Sequence, residues 1–307
     1  MTLDIIIPTY KRREKLSSQL SILTNEIQGQ KDINIIIINN DPNDDLTDII
    51  DNRFTLIQNK YNWGGSGNIL ISMQSAVSDY FWILGDDDSL STDAICQVLF
   101  DIQSGVDVLK YDDHLSVNRL SGRISSINET MLFIDSSENI SSFIFLSGWI
   151  FKKSMVNKYF NEIVMSVRSY MPQVILALLI LRDAGTCNFL NYKITNNSVM
   201  NETSQKWPGA LVHNFMYEYL RTTPWLNDEF VKCWRYFLFN EYNLKGFLGR
   251  HLRARDYFGQ SVRRIVYGDK TYSFFHMLII HQILLFVKFI FPHKYISAKE
   301  NFNNDRL

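Results

Sequence analysis

The sequence predicts an α/β protein whose mostly parallel sheet is covered by helices on both faces. Strand-like apolar runs alternate with helical patterns through the first 110 residues. That alternation is typical of a parallel sheet. The connection between the first two runs is about 25 residues long, which suits a right-handed crossover through a helix. The second run is almost entirely apolar, as expected for a strand that is buried on both faces.

The predicted elements follow one another along the chain. The strand-like runs lie at residues 3–7, 33–38, 54–57, 80–84 and 106–109. The helical patterns lie at residues 16–27, 69–77, 93–102 and 172–184. In the first helix, apolar residues recur at a spacing that gives one stripe for packing on a sheet. Residues 111–145 are polar and rich in Ser and Asn, and we expect loops or a small hairpin insert there.

Composition restricts the class of protein. The 307 residues are 46% hydrophobic and 21% charged, and the formal net charge of −1 indicates no nucleic-acid partner. Three widely spaced cysteines fit a reducing cytoplasm. The first strand begins at Leu3, which leaves no room for a signal peptide. We expect a catalytic domain over residues 1–205 and a helical C-terminal region over residues 206–307.

Three adjacent carboxylates, Asp86, Asp87 and Asp88, follow the strand at residues 80–84 after Gly85. Like charges this close repel one another, and partial burial at a strand end increases the repulsion. A cation would relieve it, and carboxylate oxygens favour Mn²⁺ or Mg²⁺. The alternative is a solvated acidic turn.

Polar clusters follow each of the first four predicted strands, at residues 8–10, 39–41, 59–68 and 86–88. Parallel strands end at one edge of a sheet, where ligands bind in such folds. The glycines of the third cluster let backbone amides approach a phosphate at a helix N-terminus. Tyr10 suits stacking on a base, and Asp41 suits hydrogen bonds from a base or ribose.

These motifs resemble those of the large family 2 of glycosyltransferases, which have the GT-A fold. Four motifs occur in order, at residues 5–12, 37–41, 62–68 and 85–88: Ile-Ile-Ile-Pro-Thr-Tyr-Lys-Arg, Ile-Ile-Asn-Asn-Asp, Asn-Trp-Gly-Gly-Ser-Gly-Asn and Gly-Asp-Asp-Asp. The resemblance covers residues 1–110 strongly and 145–190 weakly. The double glycine is similar to that of galactofuranosyl- and rhamnosyltransferases, which favours a hexosyl- or deoxyhexosyltransferase.

The resemblance implies roles for individual residues. Thr9, Tyr10 and Asp41 would lie against the base and ribose, and Asn68 near the diphosphate or sugar. The residues expected to bind the donor are Pro8, Thr9, Tyr10, Arg12, Asn40, Asp41, Asn62, Gly65, Asn68, Asp86 and Asp87. Asp86 and Asp88 would hold the Mn²⁺ or Mg²⁺, with Asp88 in direct contact. His213 is a further candidate metal ligand, although a lone histidine in a helical stretch is more often structural.

The family's catalytic base is missing from its usual place. In the family a Glu-Asp pair opens the helix that here begins at Pro172, and no carboxylate stands there. Another acid could serve as the base. Glu162 is the nearest in sequence, and Asp112 or Asp113 are less favoured candidates. The alignment could be shifted by a few residues, or the enzyme could retain the anomeric configuration without a base in that place. Glu162 is equally well interpreted as an ordinary surface acid.

The C-terminal region combines a basic segment with an apolar one. Five arginines and His251 lie between residues 250 and 264, and an 18-residue apolar run, interrupted by Lys288 and a few polar residues, follows at residues 274–291. This arrangement suits an anchor at the membrane surface better than a membrane span. The alternatives are a buried helix or a dimer contact.

We therefore expect a metal-dependent glycosyltransferase of bacterial surface-polysaccharide synthesis. It would transfer one sugar from a nucleotide donor, with UDP or dTDP favoured, to a lipid-linked saccharide at the cytoplasmic face of the cell membrane. One alternative is a nucleotidyltransferase, which should carry a glycine-rich basic loop after the first strand. The other is a non-catalytic sugar-nucleotide-binding subunit, which the missing base would fit.

Overall fold

The computed structural model describes residues 1–111, 121–130, 133, 142–196, 216, 219–220, 222–226 and 230–231. The strands are β1 (Leu3–Thr9), β2 (Ile33–Asn39), β3 (Phe54–Gln58), β4 (Tyr80–Ile83), β5 (Ser89–Leu90), β6 (Val108–Tyr111), β7 (Gly122–Ile124), β8 (Trp149–Lys152), β9 (Cys187–Leu190) and β10 (Thr195–Asn196). The helices are α1 (Arg13–Glu26), α2 (Gly64–Ser75), α3 (Ala94–Asp101), α4 (Ile127–Thr130), α5 (Lys153–Met165) and α6 (Pro172–Arg182). Short 3₁₀ turns lie at Ile102–Ser104, Leu146–Gly148 and Val167–Ser169.

Eight strands form one mixed sheet in the order β3-β2-β1-β4-β8-β6-β9-β7. Neighbours among β1 to β4 are parallel, as are β6 and β9. Strand β8 is antiparallel to both β4 and β6, so β4 and β6 run in the same direction. The carboxyl ends of β1 to β4 and β6 therefore lie at one edge of the sheet, the carboxyl edge, and their starts lie at the amino edge. The predicted mostly parallel α/β fold is confirmed.

The sheet separates two hydrophobic cores. Helices α1 and α3 cover one face, where Leu16 and Ile95 pack with Ile5 and Trp82. Helices α2, α5 and α6 cover the other face. Helix α6 is buried along almost its whole length, from Pro172 to Leu181. Alternate residues of β1 and β4 enter opposite cores, which explains why β4 is apolar throughout and β1 is apolar except for Asp4 and Thr9.

Parts of the C-terminal region contribute to the second core. Met216, Leu220, Leu226 and Phe230 are buried in the same cluster as α5 and α6. In addition, Arg182 at the end of α6 lies over the ring of Trp225, 5.3 Å from its centroid. The predicted boundary between residues 205 and 206, the arginine-rich segment and the apolar run at residues 274–291 lie outside the described residues. Within the described ranges, no helix has the length and apolarity needed to cross a membrane.

Several details differ from the sequence-based prediction, including the three that follow. Helix α2 begins at Gly64 rather than residue 69, because the first turn of a helix needs no amide partner and so accepts a polar, glycine-rich sequence. Strand β6 begins at Val108, two residues late. Strand β8 was not predicted, although it fills the centre of the sheet between β4 and β6.

Asp4 is the one charged residue in β1, and it is fully buried. Its two carboxylate oxygens accept hydrogen bonds from the backbone amides of Val77 and Ser78, at 2.6 and 2.9 Å, and from the side chains of Ser78 and Asn34, at 2.6 and 2.9 Å. These donors come from β2 and from the turn between α2 and β4. Asp4 therefore links β1, β2 and the turn between α2 and β4 at the amino edge.

We expect Asp4→Ala to lower the free energy of unfolding by about 3 kcal/mol, because two backbone amides and the side chains of Ser78 and Asn34 lose their acceptor. Urea unfolding should show a lower midpoint with an unchanged slope. Asp79→Ala is the matched control, since Asp79 is exposed and its carboxylate accepts hydrogen bonds from the Thr2 amide and hydroxyl. That change should cost about 0.5 kcal/mol or less. Equal losses in the two variants would contradict the role assigned to Asp4.

Candidate functional site

The turn after β4 brings the three acidic residues to the carboxyl edge beside the end of β1. Asp86 is 4% exposed, and its two oxygens accept hydrogen bonds from the Thr9 hydroxyl and from Nη1 of Arg12, both at 2.7 Å. The same Nη1 donates to Asp87 at 2.9 Å, and Nζ of Lys15 lies 3.5 Å from Asp87. Two cations from the start of α1 thus neutralise part of the acidic cluster.

Burial and charge act in opposite directions on the ion pair of Arg12 and Asp86. Desolvation raises the pKa of Asp86 and outweighs the opposing effects of Arg12 and the Thr9 hydroxyl. For Arg12, desolvation acts to lower the pKa, but the nearby carboxylates outweigh it and the pKa is raised. Arg12 is therefore firmly cationic, and it opposes the effect of burial on the pKa of the Asp86 carboxylate.

The turn itself is held by two other segments of the chain. Nε2 of Gln19 on α1 donates to the carbonyl oxygens of Gly85 and Asp88, at 2.7 and 2.9 Å. In the segment before β8, the Ser147 hydroxyl donates to Asp88 at 2.6 Å and accepts from the Gly85 amide at 2.8 Å. A Cβ atom at Gly85 would lie 2.6 Å from Asp88 Oδ2, so a larger residue there would have to displace the Asp88 carboxylate.

A network of asparagine side chains forms the adjoining part of the edge. Asn40, which follows β2, donates to Asn62 at 2.8 Å and accepts from Asn59 at 3.1 Å. Asn59 also donates to Asn68 at 3.0 Å. This network ties the end of β2 to the loop after β3 and to the first turns of α2. It holds the glycine-rich segment in place beside the strand ends.

The remaining predicted donor residues lie along the same edge. Asp41 is 6% exposed and accepts a hydrogen bond from the Asn43 amide at 3.1 Å. Nζ of Lys11 lies 5.3 Å from the centroid of the Tyr10 ring. Pro8 is the penultimate residue of β1, and a side chain at Gly65 would meet nothing within 4 Å. The sequence-predicted donor residues are therefore brought to one edge.

Glu162 is not part of this cluster. It lies on α5, and its carboxylate is 3.9 Å from Arg182 at the end of α6. The chain then reaches Thr186, whose amide donates to Asp107 just before β6. Because β6 starts at the amino edge, Glu162 pairs with a residue close to the edge opposite the acidic residues. The structure therefore does not support Glu162 as the catalytic base. Asp112, Asp113 and His213 lie outside the described residues.

Three residues of the site were missed by reasoning from the sequence. Lys15 and Gln19 lie on one face of α1, one helical turn apart, and face the acidic turn. A polar residue next to Leu20 in an otherwise apolar stripe is the only signal for Gln19, and Lys15 carries none. Ser147 lies 59 residues after Asp88, and nothing in its sequence context marks it.

The chemistry of the site suits a divalent cation, and Arg12 binds two of the same carboxylates. Carboxylate oxygens of Asp86 and Asp88 are ligands that Mn²⁺ and Mg²⁺ prefer. Yet among the side chains that the structure describes, no three His, Cys, Asp or Glu residues are grouped so as to hold a metal ion. Arg12 occupies oxygens of two of the three carboxylates. The ligand types of the cluster thus suit a metal ion, but Arg12 would compete with the metal for the same carboxylate oxygens.

Comparison with known proteins places the chain in a family. The model for glycosyl transferase family 2 matches residues 4–160. The abequosyltransferase RfbV of Salmonella typhimurium is 36% identical over 115 residues, which are 34% of this chain and 34% of that protein. The match thus spans about a third of the relative's length.

Two solved structures share the fold. TarS 1–349 of S. aureus, in complex with UDP-GlcNAc, has a TM-score of 0.58 at 14% identity and covers 99% of this chain and 92% of its own. The mannosyltransferase PcManGT of Pyrobaculum calidifontis, in complex with GDP-Man and Mn²⁺, has a TM-score of 0.58 at 11% identity and covers 95% and 87%. From the matched residues and the shared architecture, this chain belongs to glycosyltransferase family 2 and has the GT-A fold.

Proposed function

We propose that this protein transfers a single hexosyl or deoxyhexosyl group from a nucleotide-sugar donor to a lipid-linked saccharide in bacterial surface-polysaccharide synthesis. The observation that carries the proposal is the convergence of the ends of β1 to β4, with the acidic cluster, at one sheet edge. A relative of this protein is an abequosyltransferase, and solved proteins of the same fold bind UDP-GlcNAc or GDP-Man. These likenesses support the donor class, with UDP or dTDP favoured by the motifs.

The residues of the edge divide the work of binding the donor. Tyr10 and Asp41 are proposed to contact the base and ribose. The α2 N-terminus, which begins at Gly64, offers backbone amides to the diphosphate. Asp86 and Asp88 would hold Mn²⁺ or Mg²⁺, which offsets the charge that develops on the leaving nucleoside diphosphate. The structure of PcManGT, which has the same fold, contains Mn²⁺, and this supports the choice of cofactor.

Membrane association belongs to the same proposal. The arginine-rich segment between residues 250 and 264 and the apolar run at residues 274–291 suit attachment to the inner face of the cell membrane. A lipid-linked acceptor would be presented there. Residues 206–307 are proposed as the region that carries this attachment.

We expect one nucleoside diphosphate among UDP, dTDP, CDP and GDP to bind in the presence of Mn²⁺. Asp88→Ala should weaken that binding at least about 100-fold, because the metal loses a direct ligand. Isothermal titration calorimetry with and without Mn²⁺ measures both effects. Failure of all four nucleotides to bind wild type in either condition would contradict the proposed donor class.

Glu162→Gln should leave donor binding and the slow hydrolysis of the nucleotide sugar within about twofold of wild type, since a surface substitution away from the site is nearly neutral. The rate of nucleotide release, measured on the donor whose nucleotide binds, checks this. Asp88→Asn is the contrasting variant, and its rate should fall at least about 100-fold. A comparable fall for Glu162→Gln would restore Glu162 as a catalytic residue.

Deletion of residues 270–307 should move the protein from the membrane fraction to the soluble fraction of lysed cells. The reason is that the apolar run is expected to supply most of the area that is buried in the membrane surface. Nucleotide binding by the shortened chain serves as the control that it is folded. If the full chain is already soluble without detergent, the proposal of a membrane anchor fails.

A further inference from the structure

Arg12 binds two carboxylates of the cluster that is proposed to hold the metal ion. Its Nη1 lies 2.7 Å from Asp86 Oδ1 and 2.9 Å from Asp87 Oδ2, so one nitrogen bridges two of the three carboxylates. The other oxygen of Asp86 accepts from the Thr9 hydroxyl. A divalent ion that approaches Asp86 must therefore displace either the guanidinium or the hydroxyl.

The backbone directs Arg12 to this place. Lys11, just before it, has a φ of 55°, in the left-handed region that side chains other than glycine rarely adopt. This residue turns the chain from the end of β1 into α1, and the Arg12 side chain returns over the acidic cluster. The ion pair is partly shielded from water, with side-chain exposures of 28% for Arg12 and 6% for Asp86. A partly buried pair of this kind is costly to break unless both partners find new ones.

Charge opposes the binding of a bare metal ion here. Three carboxylates face two nearby cations, Arg12 and Lys15. A divalent ion added alone would face a guanidinium that it has displaced but not removed, and the two positive charges repel. A nucleoside diphosphate sugar carries two negative charges on its diphosphate. The metal and the donor together therefore add no net charge to the site.

The donor also offers Arg12 a better-matched partner. A guanidinium binds phosphate oxygens through two parallel hydrogen bonds, a geometry that a shared Nη1 between two carboxylates does not provide. We propose that Arg12 is a built-in counterion of the acidic cluster that leaves Asp86 for the donor diphosphate, so that the divalent cation binds strongly only together with the nucleotide. This inference rests on the proposed function, and it adds an order of binding that the fold alone does not require.

The coupling is reciprocal by thermodynamic linkage: the nucleotide raises the affinity for the metal by the same factor as the metal raises the affinity for the nucleotide. Arg12→Gln removes the competing charge. It should therefore strengthen the binding of Mn²⁺ alone by about tenfold and reduce the coupling with the nucleotide to about threefold or less. Lys15→Gln is the matched control, since it removes the same charge 3.5 Å from Asp87 without contacting Asp86. Its Mn²⁺ affinity should stay within about threefold of wild type.

Electron paramagnetic resonance of free Mn²⁺ measures the binding of Mn²⁺ to the full chain without any turnover. Titrations are made on wild type, Arg12→Gln and Lys15→Gln, first with Mn²⁺ alone and then with UDP, dTDP, CDP or GDP present. We expect wild type to bind Mn²⁺ at least about tenfold more tightly with one of the four nucleotides. If Mn²⁺ alone binds Arg12→Gln no more tightly than wild type, the inference is overturned, whether the binding is weak in both or strong in both.

A second variant guards against loss of the fold. Arg12→Lys keeps the charge on a flexible side chain whose ammonium is more strongly hydrated and so easier to displace, and Mn²⁺ alone should bind about threefold more tightly than to wild type. Thermal unfolding followed by circular dichroism shows which variants are folded. Unchanged Mn²⁺ affinity in a folded Arg12→Lys, when Arg12→Gln does not fold, also overturns the inference. The measurements with Mn²⁺ alone test Arg12, whereas the absence of binding by every nucleotide counts against the proposed donor class, so the two failures are distinguishable.

Discussion

A nearly buried carboxylate, Asp86, is the constraint on which the carboxyl edge of the sheet depends. A carboxylate that is 4% exposed must be paired, because desolvation of an isolated charge is costly. The pairing comes from two residues of another segment, Thr9 at the end of β1 and Arg12 at the start of α1. The pairing of this one charge thus links the end of β1, the start of α1 and the turn after β4.

The same turn is held by two further segments of the chain. Gln19 reaches it from α1, which packs on one face, and Ser147 reaches it from the segment before β8. The Ser147 carbonyl also accepts a hydrogen bond from the indole of Trp82 in β4, at 2.7 Å. The acidic cluster is therefore supported by rigid elements rather than by a free loop, as precise placement of a metal and a diphosphate requires.

Local patterns in the sequence contained most of the fold. The apolar runs located β1 to β4, and the polar clusters at their ends identified the edge, because strand direction follows from the alternation of elements. Strand β8 escaped prediction since a short apolar run reveals neither its direction nor its neighbours. The pairing of Arg12 with Asp86 spans 74 residues, and no local pattern encodes it. For that reason the repulsion within the acidic triplet suggested a metal, whereas the protein's own arginine already relieves it. Glu162 was suggested only by its position in the sequence. Its partner Arg182 lies at the end of α6, close to the amino edge, which is opposite the acidic residues.

The buried clamp around Asp4 has a consequence for the order in which the chain folds during synthesis. Strand β1 lies in the interior of the sheet, between β2 and β4, and is synthesised before both of them. The partners of its aspartate lie at Asn34 and at Val77 and Ser78, and its second neighbour ends at Ile83. Until that stretch has left the ribosome, a highly apolar strand has an unpaired side and a carboxylate without its hydrogen-bond donors. The nascent chain must therefore shield β1 during the synthesis of about seventy further residues, a period in which exposed apolar strands are prone to aggregate.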